Sequence, residues 1–307
     1  MTGLSRDEAA CICAEFLGGT VHYTGGVYGT YTATAPDGRE WKFVRDASIS
    51  GQRRSDGGYI SDSDCQAELV SPICKYEDIE TIQELLRKLR VGGAFVNGSC
   101  GVHIHVDAAP FDAPHLRNLV NIVAGKEDLL FRALRVDEIR ERDYCKKIDS
   151  DFLAELNRKK PKTLDALKNI WYRGRDGSSE HYHSSRYHCL NLHSVFQKGT
   201  VEFRAFNGEM HAGKIKAYIQ LCLVMTAQAL NQRYATQHKT ETTNDKYSFR
   251  VWLLRLGMIG DEFKTARHHL LKHLDGNTAW RDPQQAMDQK RRLKEQRQTE
   301  QMSEMTM

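Results

Sequence analysis

Two histidines and an aspartate occupy alternate positions in one short segment, residues 101–107 with the sequence GVHIHVD. This alternation predicts a β-strand that projects His103, His105 and Asp107 from one face and three β-branched residues from the other. Imidazole and carboxylate groups at this spacing could bind a metal ion or a phosphate. A strand histidine is often only a half-buried structural side chain, so a functional role depends on whether other strands carry matching residues.

A second segment, residues 200–206 with the sequence TVEFRAF, repeats this design. Glu202 and Arg204 share one face of the predicted strand. The other face carries only apolar side chains, Val201, Phe203 and Ala205. An adjacent glutamate and arginine often form a surface ion pair of little energy. Here the apolar face predicts that the strand lies on a core, which favours a concave surface for the two charges.

Glu68 is a third candidate and lies between Ala67 and Leu69 in a strand-like segment. A strand would place its carboxylate opposite those apolar side chains. A plain solvent-facing glutamate is an equal alternative. The amphipathic helix predicted over 78–89 would connect this strand to the one that carries His103.

The segment 174–186 is polar and rich in histidine, and it ends at Arg186. It is an exposed loop by composition, of a kind that often closes over substrates. Residues 187–193 then alternate as a strand, with Asn191 and His193 on one face.

The remaining elements form the scaffold for these strands. Short strands predict an antiparallel meander over 21–24, 28–35 and 40–44, and the segment 46–63, rich in Ser, Gly, Asp and Arg, is predicted to be a mobile loop. Apolar periodicity and a capping box at Ser5 predict further helices over 5–17, 113–134 with a break near Gly125, 137–172 with an interruption at Pro161, 212–232, 248–256 and 261–274.

Composition predicts one compact, soluble, intracellular protein. The chain has 307 residues, of which 40% are hydrophobic and 27% charged. We assign residues 1–280 to a single catalytic domain, in which helical segments 113–172 and 212–274 pack on the sheet. Residues 281–307 lose their apolar content and are predicted to form a charged, flexible tail or a solvated helix.

Charge and cysteine content exclude several classes of protein. A net charge of +4 is too small to indicate nucleic acid as a partner. None of the eight cysteines has Cys-x-x-Cys spacing, which fits a reducing cytoplasm. No run of about 18 apolar residues predicts a membrane span.

Four segments together resemble the putative amidoligase family, and the resemblance extends from about residue 4 to residue 280. They are Glu-Leu-Val-Ser-Pro at 68–72, Gly-x-His-x-His-Val-Asp at 101–107, Ser-Arg-Tyr-x-x-Leu-Asn-Leu at 185–192 and Val-Glu-Phe-Arg-x-Phe-Asn-Gly at 201–208. In its catalytic domain the family is similar to glutamine synthetase and glutamate-cysteine ligase. The resemblance therefore implies an α+β fold, with a curved antiparallel β-sheet of the glutamine synthetase-like type backed by helices and a helical C-terminal part.

The resemblance also implies an activity, that of an ATP-dependent carboxylate-amine ligase. ATP would phosphorylate a carboxylate, and an amine would attack the acyl phosphate to give an amide. Mg²⁺ or Mn²⁺ would be bound by three residues, Glu68, His103 and Glu202. Phosphate or the substrate carboxylate would contact four other residues, His105, Arg186, Asn191 and Arg204. The two arginines and His105 would have catalytic roles, and Asp107 would support the site. The acid and amine would be amino acids or peptides, selected by loops 46–63 and 174–185.

One departure from the family pattern concerns the N-terminal strand. Family members usually open with a strand carrying Glu-x-Glu, and no such residues precede Met1 here. We expect a missing strand rather than a lost activity, because the other motifs are intact. Two alternatives stay open: a metal-dependent hydrolase using His103 and His105, and a catalytically impaired nucleotide-binding relative. For a ligase, Glu202→Gln and Arg204→Ala are each expected to abolish ligation with little effect on folding.

Overall fold

The structure is a computed structural model that describes residues 1–304, apart from the side chains of residues 283, 286 and 299–304. Its strands are β1 Thr20–Gly25, β2 Thr30–Thr34, β3 Glu40–Arg45, β4 Gln52–Ser55, β5 Gly58–Ser61, β6 Ala67–Val70, β7 Gly101–Asp107, β8 Leu190–Asn191 and β9 Thr200–Asn207. Its helices are α1 Arg6–Leu17, α2 Ile79–Val91, α3 Ala113–Ala124, α4 Glu127–Leu134, α5 Glu138–Asp143, α6 Ser150–Lys159, α7 Leu164–Trp171, α8 His193–Lys198, α9 Ala212–Asn231, α10 Asp245–Arg255, α11 Lys264–Leu271 and α12 Pro283–Glu304.

The first sheet contains four antiparallel strands in the order β1-β2-β3-β6. The predicted meander supplies β1 to β3, and β6 pairs with β3 so that Val44 lies opposite Glu68. Trp41 and Phe43 are almost fully buried, on the face that helix α1 covers. Glu68 belongs to the opposite face, because it alternates with the buried Ala67.

The second sheet contains three antiparallel strands in the order β7-β9-β8. The central strand β9 has a bulge opposite His103, because the pairing steps from Val102 and Phe206 directly to Ile104 and Phe203. The bulge interrupts the simple alternation expected from the sequence. Phe206 is 2% exposed and stacks on the ring of Tyr218 in α9 at 4.5 Å, whereas Ala205 is only half-buried.

Helix α9 is the central helix of the scaffold. It packs against α2, α3 and α11 and lies behind β7. Its apolar residues belong to one continuous core that also includes α1 and α10. The mixed α+β class with a helical C-terminal part is therefore confirmed, and the antiparallel strands are divided among a four-stranded, a three-stranded and a two-stranded sheet.

Several predicted boundaries are confirmed. Ser5 and Glu8 form the capping box of α1, and helix breaks occur near Gly125 and Pro161. Helix α12 covers most of the predicted tail, and its described side chains lie almost entirely in solvent. Residues 305–307 lie outside the described residues. Within the described part of the chain, no helix combines the length and the hydropathy needed to cross a bilayer.

Two predictions of secondary structure are wrong. The segment 46–63 contains the hairpin β4–β5 instead of being a loop throughout, and Arg53 on β4 forms salt bridges with Glu8 and Asp62 that attach the hairpin to α1. The strand expected over 187–193 is limited to Leu190–Asn191. His193 starts helix α8, which ends at Gly199 in the left-handed conformation with φ of 70°.

Candidate functional site

Three polar side chains form a row across the three strands of the second sheet. Asn191 on β8 and His105 on β7 both lie directly opposite Glu202 on β9. The Asn191 amide Nδ2 donates a 2.5 Å hydrogen bond to Glu202 Oε2, and His105 Nε2 lies 3.7 Å from Glu202 Oε1. Asn191 and Glu202 are 1% and 4% exposed, so their alignment is held by a fully buried contact.

Arg204 pairs with Glu202 within the same strand. Its Nη1 donates a 2.6 Å hydrogen bond to Glu202 Oε1, and the two side chains are 4% and 5% exposed. Burial alone raises the pKa of Glu202, but the Arg204 charge, the two neighbouring imidazoles and the Asn191 hydrogen bond together outweigh it and lower the pKa to about 2. The Arg204 Nε also donates to the Tyr144 carbonyl at 3.3 Å. Glu202 is thus an ionised carboxylate held in one orientation, and replacing Arg204 would not leave folding nearly unchanged.

His103 and His105 are both neutral at pH 7. Burial and the nearby Arg204 charge lower the pKa of His103, whose Nδ1 lies 3.4 Å from Glu202 Oε1. Burial likewise lowers the pKa of His105, whose Nδ1 lies 2.8 Å from the Thr200 hydroxyl. About a third of each imidazole surface stays accessible, 31% and 35% respectively. Each ring can therefore offer a lone pair to a cation or accept a proton.

Glu68 belongs to the other sheet but borders the same cleft. Its side chain keeps contact with solvent, yet partial burial and the Asp46 carboxylate raise its pKa. The charges of Lys198 and Glu202 also reach it. Since Glu202 and Lys198 belong to β9 and α8, the two sheets turn their polar faces toward one space.

Arg186 lies at the edge of this space. Its guanidinium carbon is 5.4 Å from the ring centre of Tyr182 and 5.7 Å from that of Tyr187, and its Nη1 donates to the His181 carbonyl at 2.9 Å. The Arg186 charge contributes to lowering the pKa of His105. The loop 174–186 therefore brings a cation toward the row of polar side chains.

Asp107 does not join the row. Its carboxylate accepts a hydrogen bond from the Ala109 amide at 3.0 Å and stabilises the turn that follows β7. Its role is therefore structural, at the end of the strand that carries the two histidines.

Sequence reasoning missed Arg140, which lies on α5 and is 4% exposed. Its Nη1 donates to the Cys100 carbonyl at 3.1 Å, while within the described residues Nε and Nη2 have no hydrogen-bond partner. A Cβ at Gly101 would lie only 2.4 Å from Nη2, so the guanidinium occupies the place of a side chain at position 101. Strand alternation puts that position on the same face as His103. In the sequence, the only indication that this space is occupied was Gly101, the glycine at the start of β7.

Lys198 was missed as well. It ends helix α8 and is exposed, and its charge lowers the pKa of His105 and counteracts the rise in the pKa of Glu68. The cleft thus contains four cationic side chains near the two carboxylates, Arg140, Arg186, Lys198 and Arg204.

Comparison with known proteins identifies the family. The family model described as "Putative amidoligase enzyme" matches residues 1–226. The chain belongs to this amidoligase family. The matched segment ends within α9, short of the residue 280 expected from the motifs, and includes β1 to β9 with every strand residue of the cleft. No curated protein and no solved structure matches the chain.

The candidate ligands of this amidoligase are in protonation states that suit a divalent cation. Glu202 is ionised, and His103 is neutral. Among the side chains that the structure describes, no group of three or more His, Cys, Asp or Glu residues is already assembled as a metal site. Mg²⁺ is usually bound by one or two carboxylates together with substrate phosphates, without a complete protein cage. The Glu202–His103 edge, with Glu68 across the cleft, fits a cation of that kind.

Proposed function

We propose that this amidoligase is an ATP-dependent carboxylate-amine ligase that joins an amino acid or peptide carboxylate to an amine through an acyl phosphate. The observation that carries the proposal is the row of Asn191, Glu202 and His105, held by the buried Asn191–Glu202 contact and bordered by more cations than carboxylates. Such a cleft favours a ligand with several negative charges, and triphosphate has them. The family membership supports a ligase.

The proposed reaction takes place in two steps, phosphorylation of the acid and attack by the amine. A carboxylate oxygen of the acid attacks the γ-phosphorus of ATP, the bond from phosphorus to the bridging oxygen breaks, and ADP leaves with the electron pair. The amine nitrogen then attacks the acyl carbon, the bond from that carbon to the phosphate oxygen breaks, and inorganic phosphate leaves. The amine loses one proton, which neutral His105 is placed to accept.

The cationic residues stabilise charge during these steps. Arg204 is held rigidly by Glu202 and can stabilise phosphoryl oxygens without reorganising, whereas Arg186 approaches them with the loop. The unpaired donors of Arg140 add positive potential next to His103. A bound Mg²⁺ or Mn²⁺ would neutralise triphosphate charge, and Glu202, His103 and Glu68 are the residues that would hold it.

We assign substrate selection to the segments 46–63 and 174–185 at the edge of the cleft. The loop 174–186 carries Arg186, and its Tyr182 hydroxyl lies 3.3 Å from that of Tyr28 in the turn between β1 and β2 of the first sheet. The loop is thereby connected to both sides of the cleft. We propose that it closes over the acid, which would exclude water from the acyl phosphate.

The proposal is tested by coupled measurement of phosphate release and amide formation. The full chain is incubated with ATP, Mg²⁺ or Mn²⁺, and pairs of amino acids or dipeptides, and products are followed by mass spectrometry. Glu202→Gln should abolish both signals. Glu127→Gln is the matched control, because Glu127 is another buried carboxylate, but it binds the Ile148 amide and Lys239. Equal activity of the Glu202→Gln variant and the wild type would contradict the proposed site.

A further inference from the structure

A cavity of about 750 Å³ lies at the end of the β7–β9 pair where Gly101 pairs with Asn207. Its walls come from the last turns of α2, the segment leading into β7, the segment after β9, and β4. His103, His105 and Glu202 do not line it. The cavity is therefore a separate feature on the strands that carry the candidate site.

Three arginines line this cavity, and two of them have no acidic partner. Arg87 is paired with Glu84. Arg54 and Arg90 form no salt bridge with any residue of the described chain. The acidic lining residue, Glu209, is neutralised by Lys214 through a 2.7 Å salt bridge. The lining therefore has a surplus of positive charge.

Apolar surface lies beside these charges. Phe95 contributes an aromatic ring, and the guanidinium carbon of Arg54 lies 5.4 Å from its centre. The Tyr59 ring on β5 is 4.9 Å from the same Phe95 ring, and Met210 lines another part of the wall. Cationic and apolar groups together suit a ligand with an anionic group on an apolar body.

The positions of the α2 arginines near the end of their helix explain only part of the positive charge in the cavity. Arg87 and Arg90 belong to the last turns of α2, where basic residues interact favourably with the helix dipole even without a ligand. Arg54 comes from a different element, the hairpin that replaces the expected loop. Its convergence with Arg90 on one cavity is not required by either element.

We propose that this cavity is a second binding site, which takes a small anionic ligand bearing a carboxylate or phosphate next to an apolar or aromatic group. The volume is in the range of sites for small molecules and cofactors. Arg54 and Arg90 bind the oxyanion, and Phe95 and Met210 contact the apolar part. The site is distinct from the proposed ligase cleft, and its ligand binding does not depend on ligase activity.

Calorimetric titration of the full chain tests the site with two probes that are not substrates of the proposed ligase reaction, phenyl phosphate and phenylacetate. We expect Arg54→Gln and Arg90→Gln each to weaken the binding of at least one probe by about tenfold or more, because each removes a charge-assisted contact. Loss confined to phenyl phosphate identifies a phosphate ligand, and loss confined to phenylacetate identifies a carboxylate ligand.

Lys88→Gln is the matched control, since it removes one positive charge from the same turn of α2 at a position that does not line the cavity. It should leave both affinities within about twofold of the wild type. Thermal unfolding of each variant checks that the fold is intact. If Arg54→Gln and Arg90→Gln bind both probes as tightly as Lys88→Gln does, or if the wild type binds neither probe, the second site does not exist. Either result leaves the ligase proposal to be judged by its own amide assay.

Discussion

Replacing Arg204 with methionine removes the guanidinium that neutralises Glu202 and keeps an unbranched side chain in its place. Both partners are almost fully buried, and their hydrogen bond is 2.6 Å long. The pKa of Glu202, about 2 against an ordinary value of 4.5, corresponds by linkage to about 3 kcal/mol of stability at pH 7. We therefore expect Arg204→Met to lower the free energy of unfolding at pH 7 by about 3 to 5 kcal/mol, the usual cost of breaking a buried pair.

The stability difference between the variant and the wild type should depend on pH in a direction that a nonspecific disruption of packing would not produce. In the wild type the folded pKa of Glu202 lies below the unfolded value, so its stabilisation is present above about pH 4.5 and is lost as the pH falls toward 2. Without Arg204, burial dominates and raises the pKa of Glu202. The variant then gains stability from this group as the pH falls from 7, and the difference between the two proteins should shrink between pH 7 and pH 4.5.

Urea denaturation followed by circular dichroism at pH 7, 5.5 and 4.5 measures the difference. The double variant Glu202→Gln/Arg204→Met should recover about 1 kcal/mol or more relative to Arg204→Met, because no buried charge is left unpaired. Arg142→Met is a matched control, since Arg142 pairs with Asp143 at 2.8 Å with 71% of its side chain exposed; it should have little effect on the free energy of unfolding. If Arg204→Met costs no more than Arg142→Met, or its cost does not change with pH, the argument from the buried pair is refuted.

Other predictions concern the polar face of β7 and the loop beside it. Arg140→Met should leave the free energy of unfolding at pH 7 unchanged or raise it, because two unpaired buried donors disappear. Phosphate release from ATP should fall by about tenfold or more. Unchanged turnover would show that Arg140 does not belong to the site. Gly101→Ala should lower turnover by displacing the Arg140 guanidinium, and the same substitution in an Arg140→Met background should have little further effect, a non-additivity that steady-state kinetics measures directly. His105→Asn should lower kcat without shifting Tm by more than a few degrees, and an equal loss of kcat and Tm would indicate a merely structural histidine. Arg186→Gln should raise the KM for ATP or for the acid more than it lowers kcat, with little change in Tm; a KM unchanged for both would place Arg186 outside the cleft.

The strands of the candidate site could be predicted because their sequence alternates cleanly. Residues 101–107 and 200–206 each combine an apolar face with a polar one, and the core on one side determines which face packs against it. Glu68 lies on the outer face of β6 for the same reason. The capping box at Ser5 is equally local, since its two hydrogen bonds are made within four residues.

The bulge in β9 could not be predicted in this way. It adds one residue opposite His103 and changes which side chain faces the core, so that Phe206 packs on Tyr218. This choice depends on the fit between a strand and a helix that are distant in sequence. The position of Arg140 is hidden for a similar reason, because only the folded chain shows that its guanidinium fills the space beside Gly101.

The hairpin β4–β5 and the short strand β8 show the limits of composition. The hairpin buries little apolar surface, since Tyr59 and Ile60 are both more than half exposed, and ion pairs from Arg53 to Glu8 and Asp62 attach it to the rest of the protein. No apolar alternation marks such strands. In β8 the extended segment stops at Asn191, whose side-chain carbonyl accepts a 2.9 Å hydrogen bond from the His193 amide as helix α8 begins. A local hydrogen bond therefore overrides the period-two pattern.

The most direct test of the proposed ligase activity is a stoichiometric assay of amide formation by the full chain with ATP and Mg²⁺ or Mn²⁺. The proposed mechanism predicts one phosphate released and one amide formed per ATP consumed, with transfer of ¹⁸O from a labelled acid carboxylate to the released phosphate. Both signals should disappear in the Glu202→Gln variant. Amide hydrolysis in the absence of ATP, or amide formation without ¹⁸O in the phosphate, would contradict the acyl-phosphate ligase proposed for this site.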